Sequence, residues 1–325
     1  MNAPADRALR CIVLAALAAF GLAHAQEYPN KPLRFIVPFP PGGIVDIAGR
    51  VMGQKMSESL GQPVVVENRA GAGGSVATGV VAASPADGYT ALVAFDTHAV
   101  NPHIYKTLSF DTLKDFAPVS LIGRIPLAVL ALPAFAANSM QELVALARAK
   151  PGAYSYASVG AGSSGHLATE QFKLIVGVDL VHVPYKGGAP AITDVLGGQV
   201  HLAVIAAGAA VPHIRSGRLK ALAVSGTQRS SAIPNVPSMA EAGFPQLDSG
   251  AWIGLVVPAG TPATVIARLN AEVARAIRDP AVSGRLAEQA VELQATTPEE
   301  FGAFIRREYD KWGRVIRDAK LSIEQ

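Results

Sequence analysis

Residues 35–50, FIVPFPPGGIVDIAGR, constrain the fold more than any other part of the chain. Phe35, Ile36 and Val37 form a short apolar run of strand character. Pro38, Pro40 and Pro41 stop it, because proline has no amide proton to give a sheet ladder. Gly42-Gly43 then frees the backbone for a sharp turn. From there Ile44, Ile47, Ala48, Val51, Met52 and Met56 recur at helical spacing. The unit is therefore strand, glycine turn, helix. The first amides of such a helix have no internal partner and sit at its positive dipole end. They can hold an anion without any lysine or arginine, although the glycines can equally serve the turn alone.

The same grammar continues. Residues 63–67 (PVVVE) read as a strand, and the glycine-rich stretch 68–74 leads into a helix over 75–83. Asp87-Gly88 is a turn, and residues 89–94 form the next strand, ending at 95–98 (FDTH). This alternation predicts a mainly parallel sheet covered by helices. Residues 117–132 read as two strands around Gly123-Arg124. Ser139 to Glu142 is a capping box, opening a helix that Pro151-Gly152 ends. Strands are expected at 154–159, 179–183, 200–205 and 219–224, with helices between them, so residues 125–247 repeat the α/β pattern.

The tail differs. Thr261-Pro262 reads as an N-cap with proline at the first helical position, and the helix it opens carries Val265, Leu269, Val273 and Ile277 on one face. Asp279-Pro280 opens another helix, and Thr297-Pro-Glu-Glu300 is a capping box for the last. These helices need a sheet to cover, and the second α/β unit is complete by about Gly243. The chain is expected to cross back, giving a signal peptide at 1–25, one lobe from 26–124 and 248–325, and another from 125–247. Two crossings between two lobes make a hinged cleft.

Composition narrows the function. Of 325 residues 50% are hydrophobic and 16% charged, with a formal net charge of +3. That suits large cores, and no basic run exceeds two residues, so no nucleic-acid partner is expected. Arg7 and Arg10 precede an apolar stretch over 11–22, too short to span a bilayer, and Ala23-His24-Ala25 has the form of a cleavage site. Cleavage after Ala25 would export the protein to a periplasm and remove Cys11, its only cysteine. No histidine pairs with an acid at metal-ligand spacing, so neither metal nor cofactor is expected.

Gly160-Ala-Gly-Ser-Ser-Gly165 matches G-x-G-x-x-G between a strand and a helix. A dinucleotide site would place an acid at the end of the next strand, but residues 180–183 run into Pro184-Tyr185-Lys186. Neither Ser163 nor Ser164 sits in G-x-S-x-G, so an exported hydrolase using either serine with His166 is the weaker alternative. The favoured reading mirrors the opening unit. Ser163 and Ser164 cap a second anion-binding helix start, and the two loops grip a carboxylate across the cleft, with apolar contact from Phe39 or Ile44. Asp46 in the first helical turn is read mainly as dipole compensation and local capping.

At these residues the sequence resembles the Bug family of extracytoplasmic solute receptors, which serve tripartite tricarboxylate transport systems. The resemblance covers nearly the whole mature chain. It rests on YPNKPLRFIVPFPPGGIVDIAGR, VVVENRAGAGGSVAT, NPHIYKTLSFDTLKDFAPVSLI, YASVGAGSSGHL, HVPYKGGAPAITDVLGGQV, RLKALAVSG, NVPSMAEAGFP and the PAGTPATVIARLNAEV tail. It implies a type II periplasmic binding protein fold, two α/β lobes closing on a small carboxylated solute, acting as a monomer without a cofactor and delivering it to membrane permease subunits. It implicates Phe39, Pro40, Gly42, Gly43, Ile44 and Asp46 in one lobe, with Thr97 on the cleft wall. In the other lobe it implicates Ser158, Gly160, Gly162, Ser163, Ser164 and His166, with Ala206 and Ala207. Ile44-Val45, Gly49, His201 and the bland run 206–210 depart from the family's usual pattern. They point toward a more apolar pocket and an aromatic or aliphatic monocarboxylate.

Overall fold

A computed structural model describes residues 28–321. The expected signal segment and the cleavage after Ala25 lie outside the described residues. Strand β1 (Leu33–Val37) pairs in parallel with β2 (Val64–Asn68) on one side and β3 (Thr90–Phe95) on the other. Beyond β3, β10 (Ala251–Pro258) runs antiparallel to both β3 and β4 (Phe116–Ile125), and the short β11 (Glu292–Leu293) pairs with β4. The first sheet thus has the order β11-β4-β10-β3-β1-β2. A second sheet, β7-β6-β8-β5-β9, is built from β5 (Leu127–Ala131), β6 (Ser155–Ser158), β7 (Val181–Pro184), β8 (Leu202–Ala206) and β9 (Lys220–Val224). The molecule is a two-lobed α/β protein with a mixed sheet in each lobe.

Three sequence expectations need correction. The strands over 117–132 break at Pro126, not at Gly123-Arg124, and β4 runs straight through Gly123. Gly123 is there because β11 lies close against it: a Cβ would sit 2.7 Å from Val291 Cγ1 and 2.8 Å from the Glu292 carbonyl oxygen. The tail is not helical alone, since it also supplies β10, all eight residues of which are buried. A strand buried on both faces shows no apolar alternation, so periodicity gives no warning of it. Its antiparallel insertion makes the first sheet mixed. Thr261 also behaves differently from an N-cap: its hydroxyl donates to the Pro258 carbonyl at 2.7 Å, and the helix Ala263–Ala276 starts after Pro262.

The helix Ile44–Leu60 lays Val45, Ala48, Met52 and Met56 on β1 and β3, and shares that core with Leu269 and Val273 of the tail. Glycines set the distance. A Cβ at Gly49 would meet Val37 Cγ2 at 3.1 Å, and one at Gly53 would meet Val64 Cγ1 at 3.1 Å. The helix therefore approaches the sheet closely, and its first turn is fixed above the end of β1.

The last helix, Pro298–Asp318, begins with the expected capping box: Thr297 Oγ1 accepts the Glu300 amide and Glu300 Oε2 accepts the Thr297 amide, at 3.2 and 2.9 Å. Phe301 lies on β10 over Gly254, edge-on to Trp252 at 5.6 Å. Further along, Trp312, Val315 and Ile316 meet Val100 and, from the other lobe, Leu167. The tail thus covers one sheet and touches the second lobe. A Cβ at Gly254 would fall 2.1 Å from Phe301 Cζ. Gly254→Ala is expected to lower stability by about 1–3 kcal/mol through overpacking. The check is urea unfolding, where the midpoint should drop with the slope unchanged.

Candidate functional site

The first loop is built by satisfying one glycine amide and leaving others unsatisfied. Gly42 lies at φ +87°, in the left-handed region that glycine tolerates. Its N–H donates to Asp46 Oδ2 at 2.9 Å. Asp46 Oδ1 accepts from Arg50 Nε at 2.9 Å and Asn68 Nδ2 at 2.8 Å, and Asn68 also donates to the Phe39 carbonyl at 2.9 Å. Burial on its own would raise the Asp46 pKa, but these bonds, Arg50 foremost, hold it below the usual carboxylate range. The Gly43 and Ile44 amides have no acceptor among the described residues.

The second loop repeats the plan with different side chains. Ser158 Oγ accepts the Gly160 amide at 3.2 Å, and Ser163 Oγ donates to the Gly160 carbonyl at 2.6 Å. Gly162, at φ +75°, donates to His166 Nδ1 at 3.0 Å. The His166 ring stacks on His182 at 3.9 Å, and His182 Nε2 lies 2.7 Å from Ser158 Oγ. Burial pushes both imidazoles down to about 4, and the Lys173 charge adds to the effect. Both rings are therefore neutral at ordinary pH. The Ser164 and Gly165 amides have no acceptor among the described residues.

A cavity of about 340 Å³ separates the two loops. One wall comes from Phe39, Ile44, Phe95, Asp96 and Thr97, the other from Val159, residues 161–165 and residues 204–206, and Ile125, Leu127 and Ala251 lie where the chain crosses between sheets. Among the described residues, no lysine or arginine lines it. Of the fifteen residues expected from sequence, Phe39, Ile44, Thr97, Gly162, Ser163, Ser164 and Ala206 line this cavity. Pro40, Gly42, Gly43, Asp46, Ser158, Gly160, His166 and Ala207 are not part of the lining: Pro40, Gly42 and Gly43 are exposed, while Asp46, Ser158 and His166 are buried and bond the loop backbone. Sequence reasoning missed Gly73, Asn101, Ile104 and Tyr105, which also line it. Asn101 Nδ2 donates to the Gly73 carbonyl at 2.9 Å and so draws the 71–74 loop into the wall. The glycine-rich stretch 68–74 was the available signal for that loop.

Asp96 is the one acidic residue of the wall and is 2% exposed. Neither carboxyl oxygen has a hydrogen-bond partner among the described residues. Ser164 Oγ and the Thr97 amide are near enough to favour the charged form somewhat, but both fall short of hydrogen-bond geometry, and burial dominates. Its pKa is pushed up to about 7. Ser164 belongs to the opposite lobe, so this carboxyl is buried between the lobes.

The hydrolase alternative fails on geometry. The Ser163 hydroxyl is committed to the Gly160 carbonyl, and His166 Nδ1 to the Gly162 amide. The Ser158–His182 pair, with Ser158 buried and His182 half-buried, does not line the cavity. The described residues include no cluster of three or more His, Cys, Asp or Glu that could hold a metal ion.

Two α/β lobes with paired glycine loops across one cleft define a solute-binding protein. Residues 48–321 match the model of the tripartite tricarboxylate transporter family receptor, and the chain belongs to that family. Protein BugT of Bordetella pertussis is 40% identical over 301 residues, covering 91% of this chain and 92% of that one. Among solved structures, R. palustris Rpa4515 with adipate is 33% identical with a TM-score of 0.78, covering 90% of this chain and 99% of the other. MatC from Rhodopseudomonas palustris with bound malate is 32% identical with a TM-score of 0.74, covering 89% and 100%. The chain is thus a solute-binding receptor of a periplasmic transport family and not an enzyme.

The raised Asp96 pKa has a pH signature. The unfolded carboxyl ionises near its ordinary value while the folded one stays protonated to about 7. Stability is therefore complete below the unfolded pKa and is lost as pH rises toward 7, after which it is level. Asp96→Asn is expected to melt at a higher temperature than the wild type at pH 8, with the gap closing by pH 4. Thermal melts across that range check it, and a pH-independent gap would contradict it.

Proposed function

We propose that this chain captures a small carboxylate in the cleft between a lobe of residues 26–124 and 248–325 and a lobe of residues 125–247. It would then hand the solute to the membrane permease subunits of a tripartite transporter. It acts as a periplasmic monomer, exported by its N-terminal segment and cleaved after Ala25. The observation that carries this reading is the pair of loops whose free amides, at Ile44 with Gly43 just before it and at Ser164 and Gly165, belong to opposite sides of one cavity lined by Ile44, Ser164 and Gly165. Each hydrogen bond to a charged group contributes roughly 1.5–3 kcal/mol. A few such bonds, with apolar contact from Phe39 and Ile44, reach the roughly 8 kcal/mol that micromolar binding requires. The adipate and malate bound by its relatives support the solute class. In this reading Phe39, Ile44, Thr97, Gly162, Ser163, Ser164 and Ala206 touch the solute. The Gly43 amide donates to it, and Pro40, Gly42, Asp46, Ser158, Gly160, His166 and Ala207 shape the loops around it.

The test is a thermal-shift screen of mono-, di- and tricarboxylates. A ligand at a hundred times its dissociation constant should add about 2.7 kcal/mol of stability. A panel in which sugars or cations shift the melt and no carboxylate does would sink the proposal. A variant sharpens it. Gly43 sits at φ −78°, and a Cβ there would meet only the Pro40 carbonyl, at 3.8 Å. Proline fits that backbone and removes one free amide. Gly43→Pro is expected to keep its melting point within a few degrees and lose at least about tenfold in affinity, the equivalent of one hydrogen bond.

A further inference from the structure

His166 is 5% exposed and absent from the cavity wall, yet it is bound to the loop that forms the wall. Its Nδ1 accepts the Gly162 amide at 3.0 Å. An amide can only donate, so Nδ1 carries a lone pair and the ring proton sits on Nε2. The other lobe makes the same bond with another residue: Gly42 donates to Asp46, again four positions further on, at 2.9 Å. In each loop the held glycine is in the left-handed region, and in each the holding side chain is in the first turn of the following helix. In each, amides at the start of the following helix lack an acceptor among the described residues. Next to Gly162, the Ser163 amide is also used, bonding the Gly160 carbonyl at 3.2 Å. The first amides left for a ligand are then those of Ser164 and Gly165, and both residues line the cavity.

We propose that His166 is the positioning residue of the second loop: as a neutral imidazole it fixes the Gly162 amide and so sets the Ser164 and Gly165 amides toward the solute, as Asp46 does for Gly43 and Ile44. The choice of side chain follows from charge. The Asp46 carboxylate is offset by Arg50 at 2.9 Å. Lys173, whose charge acts on His166, is already paired with Glu170 at 3.0 Å. A carboxylate at position 166 would place an uncompensated negative charge beside an anion site, whereas a neutral acceptor holds the same amide without repelling the ligand. Stacking on His182 keeps the ring in plane for that bond.

The proposal rests on the solute reading above, and two measurements separate the two. Wild type, His166→Leu and His166→Asn are titrated with adipate, malate and benzoate by calorimetry. The Asn Oδ1 can take the place of Nδ1 as acceptor, while Leu fills the space without one. His166→Leu is expected to weaken whichever solute binds by about tenfold or more, the equivalent of one hydrogen bond, and His166→Asn to recover most of it. A protein in which the two variants bind equally weakly, or in which His166→Leu binds as the wild type does, overturns the proposal. Independently of any ligand, amide hydrogen exchange followed by NMR should show the Gly162 N–H protected in the wild type and His166→Asn and fast in His166→Leu. Retained protection in His166→Leu overturns the role of His166. If the wild type binds none of the three solutes, the solute reading fails while the exchange result still decides the positioning role.

Discussion

A helix start leaves backbone amides without partners, and the site depends on that constraint. The two loops of this receptor satisfy some of those amides and leave others free. Gly42 and Gly162 are bonded internally, whereas Gly43, Ile44, Ser164 and Gly165 are not. The result is positive potential in a wall to which the described residues contribute no cationic side chain. Such potential is fixed in direction by the backbone, and side-chain motion cannot withdraw it. It also costs little reorganisation when a solute arrives.

That arrangement works only if the loops face each other, which is a matter of how the lobes are joined. Pro126 ends β4 and starts β5 on the other sheet within a single residue, so the first crossing is short. The return lies between β9 and β10, and β10 is driven into the middle of the first sheet. Ile125, Leu127 and Ala251, at these crossings, form part of the cavity itself. The last helix adds a contact between lobes through Trp312 and Leu167. Asp96 is buried at the same boundary, near Ser164 of the opposite lobe, and that burial raises its pKa.

The wall is mostly apolar, as the unusual Ile44 suggested. Phe39 and Phe95 meet edge-on at 5.4 Å, and Ile44, Ile104, Ile125 and Leu127 continue that surface. Polar side chains, Asp96, Thr97, Asn101, Tyr105, Ser163 and Ser164, interrupt it. Specificity in such a cleft comes from shape and from a small number of fixed donors.

The sequence by itself determined the strand, glycine turn and helix units, the capping of the last helix by Thr297, and the two loops that flank the cavity. These are local features: proline stops, glycine conformations and helical periodicity are written within a few residues. Tertiary structure alone decided the rest. β10 is buried on both faces and carries no alternation, so its antiparallel place between β3 and β4 follows only from the finished sheet. Asn101 and Gly73 enter the wall because one side chain reaches across 28 positions to a carbonyl. Whether Asp46 and His166 touch solute or hold a loop could not be read from their spacing, because a first-turn side chain can point either way. Only the positions of the Gly42 and Gly162 amides settled which way each one points.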